Sequence, residues 1–156
     1  MITFFRRIVG RLLHLYFRLT RGLTLGVRAV VLSSDGKVLL VRHTYTPGWH
    51  FPGGGVEVGE CAETALANEL WQETGLTLIG KPKLLSVEFK TDVSDRDHVL
   101  IFLCKTTGEL LPSPASLEIA ERANFHLEDL PVNADPLVKH VLDEIRQVIP
   151  NLQMTK

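Results

Sequence analysis

At 156 residues the chain has the length of one domain, and its 45% hydrophobic content with 22% charged residues fills a core and excludes intrinsic disorder. A net charge of −1 excludes the overall basic field that drives non-specific nucleic-acid binding, so no long nucleic acid is expected as a partner. Two cysteines, Cys61 and Cys104, exclude a disulfide framework and a zinc cluster and fit a reducing cytoplasm.

The charge is unevenly spread. Residues 1–22 hold Arg6, Arg7, Arg11, Arg18 and Arg21 without an acid, which is +5 and leaves −6 for the remainder. Arg11 and Arg18 break the apolar runs of this leader well short of the roughly 20 residues that span a bilayer. No small-x-small cleavage site follows it, so secretion is not expected. Arg7, Arg11, His14, Arg18 and Arg21 recur at helical steps, with Phe5, Ile8, Leu12, Leu15 and Leu19 on the opposite side and Gly22 as a stop. The spacing predicts a basic amphipathic helix over residues 1–22. Two roles for it stand open: contact with an anionic membrane surface from the cytoplasmic side, or packing on its own domain or in a self-associated dimer.

Residues 23–150 read as a single domain and 151–156 as a tail. Branched apolar residues at 27–32 and 37–41 flank Ser33-Ser34-Asp35-Gly36, and Asp-Gly between such runs predicts a hairpin. Pro47-Gly48 and Pro52-Gly53-Gly54-Gly55 bracket a short aromatic stretch, and a helical segment follows over 62–74, closed by Gly75. Residues 84–89 alternate and 99–104 are continuously apolar, predicting two strands, the second buried, around a polar loop with Asp92, Asp95, Arg96 and Asp97. Leu137, Val138, Val141, Leu142, Ile145 and Val148 predict a C-terminal amphipathic helix. The element pattern is α+β with a mixed sheet.

Residues 53–76 carry the chemistry: a glycine loop runs into an acidic helix. At 100° per residue, Glu69 and Glu73 lie about 40° apart on one face, with Gln72 about 60° to the other side of Glu69. Two carboxylates aimed at one point repel unless a cation lies between them, and an oxygen-only donor set suits Mg2+ or Mn2+. Spacing alone also accommodates a solvated acidic helix face.

Residues 54–76 resemble the Nudix box, G-x5-E-x7-R-E-U-x-E-E-x-G-U with U apolar: Gly54, Glu60, Glu69, Leu70, Glu73, Gly75 and Leu76 fit in every spacing. Residues 41–53 and 121–131 are similar to the family's segments before and after the box. The resemblance implies a Nudix-like α/β/α sandwich with a mixed sheet, and metal-dependent hydrolysis of a pyrophosphate bond in a nucleoside diphosphate linked to another moiety. It implies that Glu69 and Glu73 are catalytic metal ligands, or for Glu69 the general base. It also implies that the Gly53 carbonyl is a backbone ligand and that Glu60 supports the helix face.

Two positions depart from the motif. Gln72 brings a neutral amide oxygen to a metal-ligand position, and Asn68 stands where the box has Arg and lacks the bidentate guanidinium fork. A catalytically weak or inactive nucleotide-binding or sensor domain is therefore the alternative reading. Outside the helix, Arg42 and His43 are candidates for phosphate contacts, and Trp49 and Phe51 for stacking on a base. Glu57, Glu60, Glu118 and Glu121 are candidate additional acids. Each of these has an ordinary alternative as edge polarity, core packing or a solvated loop acid.

Overall fold

The computed structural model describes residues 22–90, 97–110 and 118–148. The predicted leader helix, the Asp92, Asp95 and Arg96 part of the polar loop and the 151–156 tail lie outside the described residues. Five strands and two helices follow in the order β1 (Thr24–Val31), β2 (Lys37–His43), α1 (Ala62–Thr74), β3 (Thr77–Lys90), β4 (Asp97–Thr107), β5 (Ile119–His126) and α2 (Pro136–Val148).

The strands form a mixed three-stranded sheet, β1-β4-β3, and an antiparallel pair, β2-β5. β1 runs parallel to β4 in the register Val27↔Leu100 to Val31↔Cys104, and β3 runs antiparallel to β4. β4 is the middle strand, covered on both faces, which is why its sequence is continuously apolar rather than alternating. One face of this sheet packs, with β2 and α2, into a core of Val30, Leu40, Phe51, Ile101, Val138 and Leu142. The other face packs under α1 through Val27, Ala29, Leu66, Leu70 and Phe102.

The hairpin predicted at Asp35-Gly36 is corrected. The turn forms, with Gly36 N–H donating to the Ser33 carbonyl at 3.0 Å and Lys37 paired to Asp35 at 2.7 Å. Beyond the single Leu32↔Val38 bridge the strands diverge, however, β1 to β4 and β2 to β5. Both flanking runs are buried on two faces, and each finds a long-range partner that completes a core. β3 also begins earlier than the alternating segment at 84–89, because Thr77, Leu78 and Ile79 pair with Thr107, Thr106 and Lys105 before a register shift. Gly80, at φ 65°, sits in that shift.

The loop after β2 is braced on both sides. His50 exchanges backbone hydrogen bonds with Val41 at 2.8 and 2.9 Å, and its ring Nδ1 lies 3.2 Å from Asp135 Oδ2 at the start of α2. The glycine loop then runs along the outer edge of β1: Ala29 N–H donates to Pro52, Val27 N–H to Gly54, and Val56 N–H to Leu25, at 2.8 to 2.9 Å. These bonds place the loop directly over the C-terminal half of α1.

Candidate active site

α1 starts after Cys61 and ends in a left-handed Gly75, φ 79°, whose N–H donates to the Trp71 carbonyl. Leu66 and Leu70 anchor one side in the core. That anchoring turns Glu73 inward, to 5% exposure, and leaves Glu69 half-buried beside it, while Gln72 stays at the exposed side. Glu73 Oε2 accepts the Gly53 N–H at 2.8 Å. The Glu69 carboxylate lies against Gly54 so closely that a Cβ there would overlap it. At Gly53, φ 142°, a Cβ would run into the Val27 carbonyl. Gly53 is thus required by its close approach to strand backbone, and a side chain at Gly54 would displace the Glu69 carboxylate.

Two further elements reach the same point. His43, at the end of β2, brings Nε2 to 3.5 Å from Glu73 Oε1. Arg28, on β1, donates Nη1 to the Val27 carbonyl at 2.9 Å and to Gly54 at 3.4 Å. Burial pushes the Glu73 carboxyl up to about 8, with Glu69 and Glu118 adding to the shift and the Gly53 N–H and Arg28 opposing it. Burial also raises Glu69, against Arg28 and with Glu118, Glu60 and Glu57. His43 is pushed down to about 4 by burial, helped by His50 and Arg28. Between those two values the His43–Glu73 contact joins two neutral groups and is not an ion pair.

Paired carboxylates that resist ionisation, beside an arginine that is itself held by carbonyls, are the electrostatic setting that a divalent cation relieves. The donor set of Glu69 and Glu73 fits such an ion. Glu60 stands one step back: its carboxylate accepts from Asn68 Nδ2 at 3.1 Å and, more weakly, from the Glu57 N–H at 3.4 Å. Asn68 therefore still orients Glu60, with one hydrogen bond in place of a guanidinium fork.

The remaining candidates separate. Glu118 is exposed, its carbonyl accepts the Thr44 N–H at 2.8 Å next to His43, and its charge adds to the raising of both Glu69 and Glu73. Glu121 and Arg42 pair with each other at 2.8 Å across β2 and β5 and neutralise one another there. Trp49 and Phe51, offered by the sequence as stacking residues, are corrected to core. Phe51 is 1% exposed, and Trp49 packs edge-on to Phe125 with centroids 4.8 Å apart, so neither ring presents a face to a ligand.

Sequence reasoning missed Arg28 and Tyr45. Arg28 was legible as the one charge within the apolar run at 27–32. Tyr45 stands at a ring-centroid distance of 5.3 Å from His43, and its hydroxyl is raised by burial, with Glu118, Glu73 and Glu69 adding to the shift.

Comparison with known proteins agrees with this geometry. The NUDIX domain family matches residues 22–147. The chain is 34% identical over 122 residues to an ADP-ribose pyrophosphatase of Methanocaldococcus jannaschii, covering 74% of this chain and 70% of that protein. It is 36% identical over 86 residues to a MutT-like protein of Streptomyces ambofaciens, covering 54% of this chain and only 53% of the relative's length. A crystal structure of a MutT NUDIX hydrolase from Burkholderia pseudomallei superposes with a TM-score of 0.67 at 24% identity, over 80% of this chain and 98% of that one, and shows the fold. With its box on α1, its glycine loop above the paired carboxylates and its family match over most of its length, the chain belongs to the Nudix family of hydrolases.

Proposed function

We propose that the protein is a metal-dependent pyrophosphohydrolase that cleaves the pyrophosphate bond of a small nucleoside diphosphate derivative, with Mg2+ or Mn2+ as cofactor. The observation that carries this reading is the convergence of Glu69 and Glu73 beneath Gly53 and Gly54, with Glu73 buried and pushed up to about 8. A bound divalent cation would acidify a water and neutralise pyrophosphate oxygens. Glu69 and Glu73 would hold it, with Gly53 fixing one carboxylate oxygen of Glu73 through its N–H. Glu69, half-buried and raised, would accept the proton of the attacking water or share in metal binding. Arg28 holds positive charge beside both carboxylates, and Glu60, oriented by Asn68, keeps the helix face in place. His43 and Tyr45 line the β2 side, within reach of substrate oxygens.

ADP-ribose is the first substrate to test, given the M. jannaschii relative, alongside nucleoside triphosphates and other nucleoside diphosphate conjugates. Phosphate or nucleotide release with Mg2+ or Mn2+, against a metal-free control and Glu73→Gln, decides the reading. Hydrolysis that needs the metal and drops about a hundredfold or more in the variant supports it, and metal-independent hydrolysis or full activity in Glu73→Gln overturns it.

Gln72, a neutral amide on the exposed side of α1, favours the second reading of a nucleotide-binding or sensor domain without turnover. Tight binding of a nucleotide with no product formed would establish it. Among the described residues no helix is long and apolar enough to cross a membrane. Both cysteines are free, in keeping with a cytoplasmic setting.

A further inference from the structure

α1 covers only part of its face of the β1-β4-β3 sheet. It packs over Val27, Ala29, Val31, Phe102 and Cys104. At the other end of the same face the pairing puts Leu25, His98 and Phe89 in one row, and the next row runs from buried Val27 through Leu100 to Val87. Of these, Leu25 is 38%, Val87 53% and Phe89 54% exposed, and the Phe89 ring lies 5.1 Å from that of His98. These exposed apolar side chains stand on the two outer strands, with half-buried His98 and Leu100 of β4 between them, and form one patch at this end of the sheet.

The patch lies at the N-terminal end of β1, where the chain arrives from residues 1–21 through Gly22 and Leu23. That segment carries the complementary pattern. Phe5, Ile8, Leu12, Leu15 and Leu19 fall on one side of a helix and Arg7, Arg11 and Arg18 on the other. As a helix, the stretch from Phe5 to Leu19 would be about 22 Å long, ample for three strands set about 5 Å apart. The remainder of the chain carries −6, which attracts a +5 segment to it rather than repelling it.

We propose that residues 1–21 fold back as an amphipathic helix whose apolar side covers Leu25, Val87 and Phe89 and continues the helical layer begun by α1. The arginine side then faces water, and the apolar side is occupied, so the helix cannot insert in lipid while docked.

Cysteine cross-linking of the full chain tests this. In a Cys61→Ser background, Phe89→Cys is combined with Leu12→Cys or Leu15→Cys, and separately with Arg11→Cys or Arg18→Cys as controls, and dilute protein is treated with copper phenanthroline. A disulfide within the monomer at the leucine positions and not at the arginine positions is expected. Covalent dimers would show that a second copy covers the patch, and an absence of cross-links, with or without co-sedimentation with phosphatidylglycerol vesicles, would place the leader elsewhere; each overturns the proposal. Hydrogen exchange on the unaltered chain gives a second reading. The amides of residues 5–19 should exchange slowly and speed up about tenfold or more in Val87→Asp or Phe89→Asp, whereas unchanged rates would overturn the docking.

Discussion

Glu73 titrates far above an ordinary glutamate, at about 8, and His43 far below an ordinary histidine, at about 4, and the two shifts act on stability with opposite sign. For Glu73 the metal-free folded chain keeps a proton that the unfolded chain has lost, so its contribution falls as pH rises from the ordinary carboxylate range to about 8. For His43 the unfolded chain holds the extra proton, so stability rises with pH between about 4 and 6.5. Above about pH 6.5 the Glu73 effect dominates. Urea unfolding without metal should therefore show a loss of roughly 2 kcal/mol between pH 6.5 and 8. Glu73→Gln should remove most of that slope, and saturating Mg2+ should offset it. An unaltered slope in Glu73→Gln would place the titration elsewhere. Arg28 opposes both carboxylate shifts, so Arg28→Gln should move the acidic limb of the pH–rate profile upward by about one unit. Gly54→Ala places a methyl group on the Glu69 carboxylate and should weaken the metal dependence of hydrolysis about tenfold or more, read by Mg2+ titration, in a chain that still folds.

α1 is the element most legible in the sequence. Its bounds, 62–74, and its Gly75 stop follow from periodicity and from the need for a left-handed residue at the end. Its pairing of Glu69 with Glu73 follows from the turn angle alone. Which of the two is buried does not, because that depends on the glycine loop pressing down from β1, a contact between residues 20 positions apart. The same limit explains Trp49 and Phe51: a Pro-Gly-flanked aromatic stretch leans toward packing but leaves stacking on a ligand open, and the packing against Phe125 and α2 decides for core. Gln72 lies on the exposed side of the helix, where solvent screens an added charge. Gln72→Glu should accordingly tighten the apparent Mg2+ dependence by only a few-fold. A weaker dependence would show that position 72 does not act on the ion at all.

Across the whole molecule the strand runs were visible and their partners were not. The Asp35-Gly36 turn is a local signal and forms, but the parallel pairing of β1 with β4 spans some 70 residues and is set by how two cores close, which no short window encodes. The helical pattern of the leader lies outside the described residues and outside the 22–147 family match. Removal of residues 1–21 should leave the rate per folded molecule within about twofold, measured by active-site titration, while the truncated chain self-associates through its bared patch.

The three backbone bonds from the glycine loop to β1 also seal an outer strand that would otherwise offer unpaired amides to other chains. A segment that both carries the catalytic scaffold and closes the sheet cannot lengthen, or swing aside as a lid, without inviting aggregation. Engineering of substrate choice in this protein should therefore succeed at the β2 end and around Glu118, and fail in the loop itself.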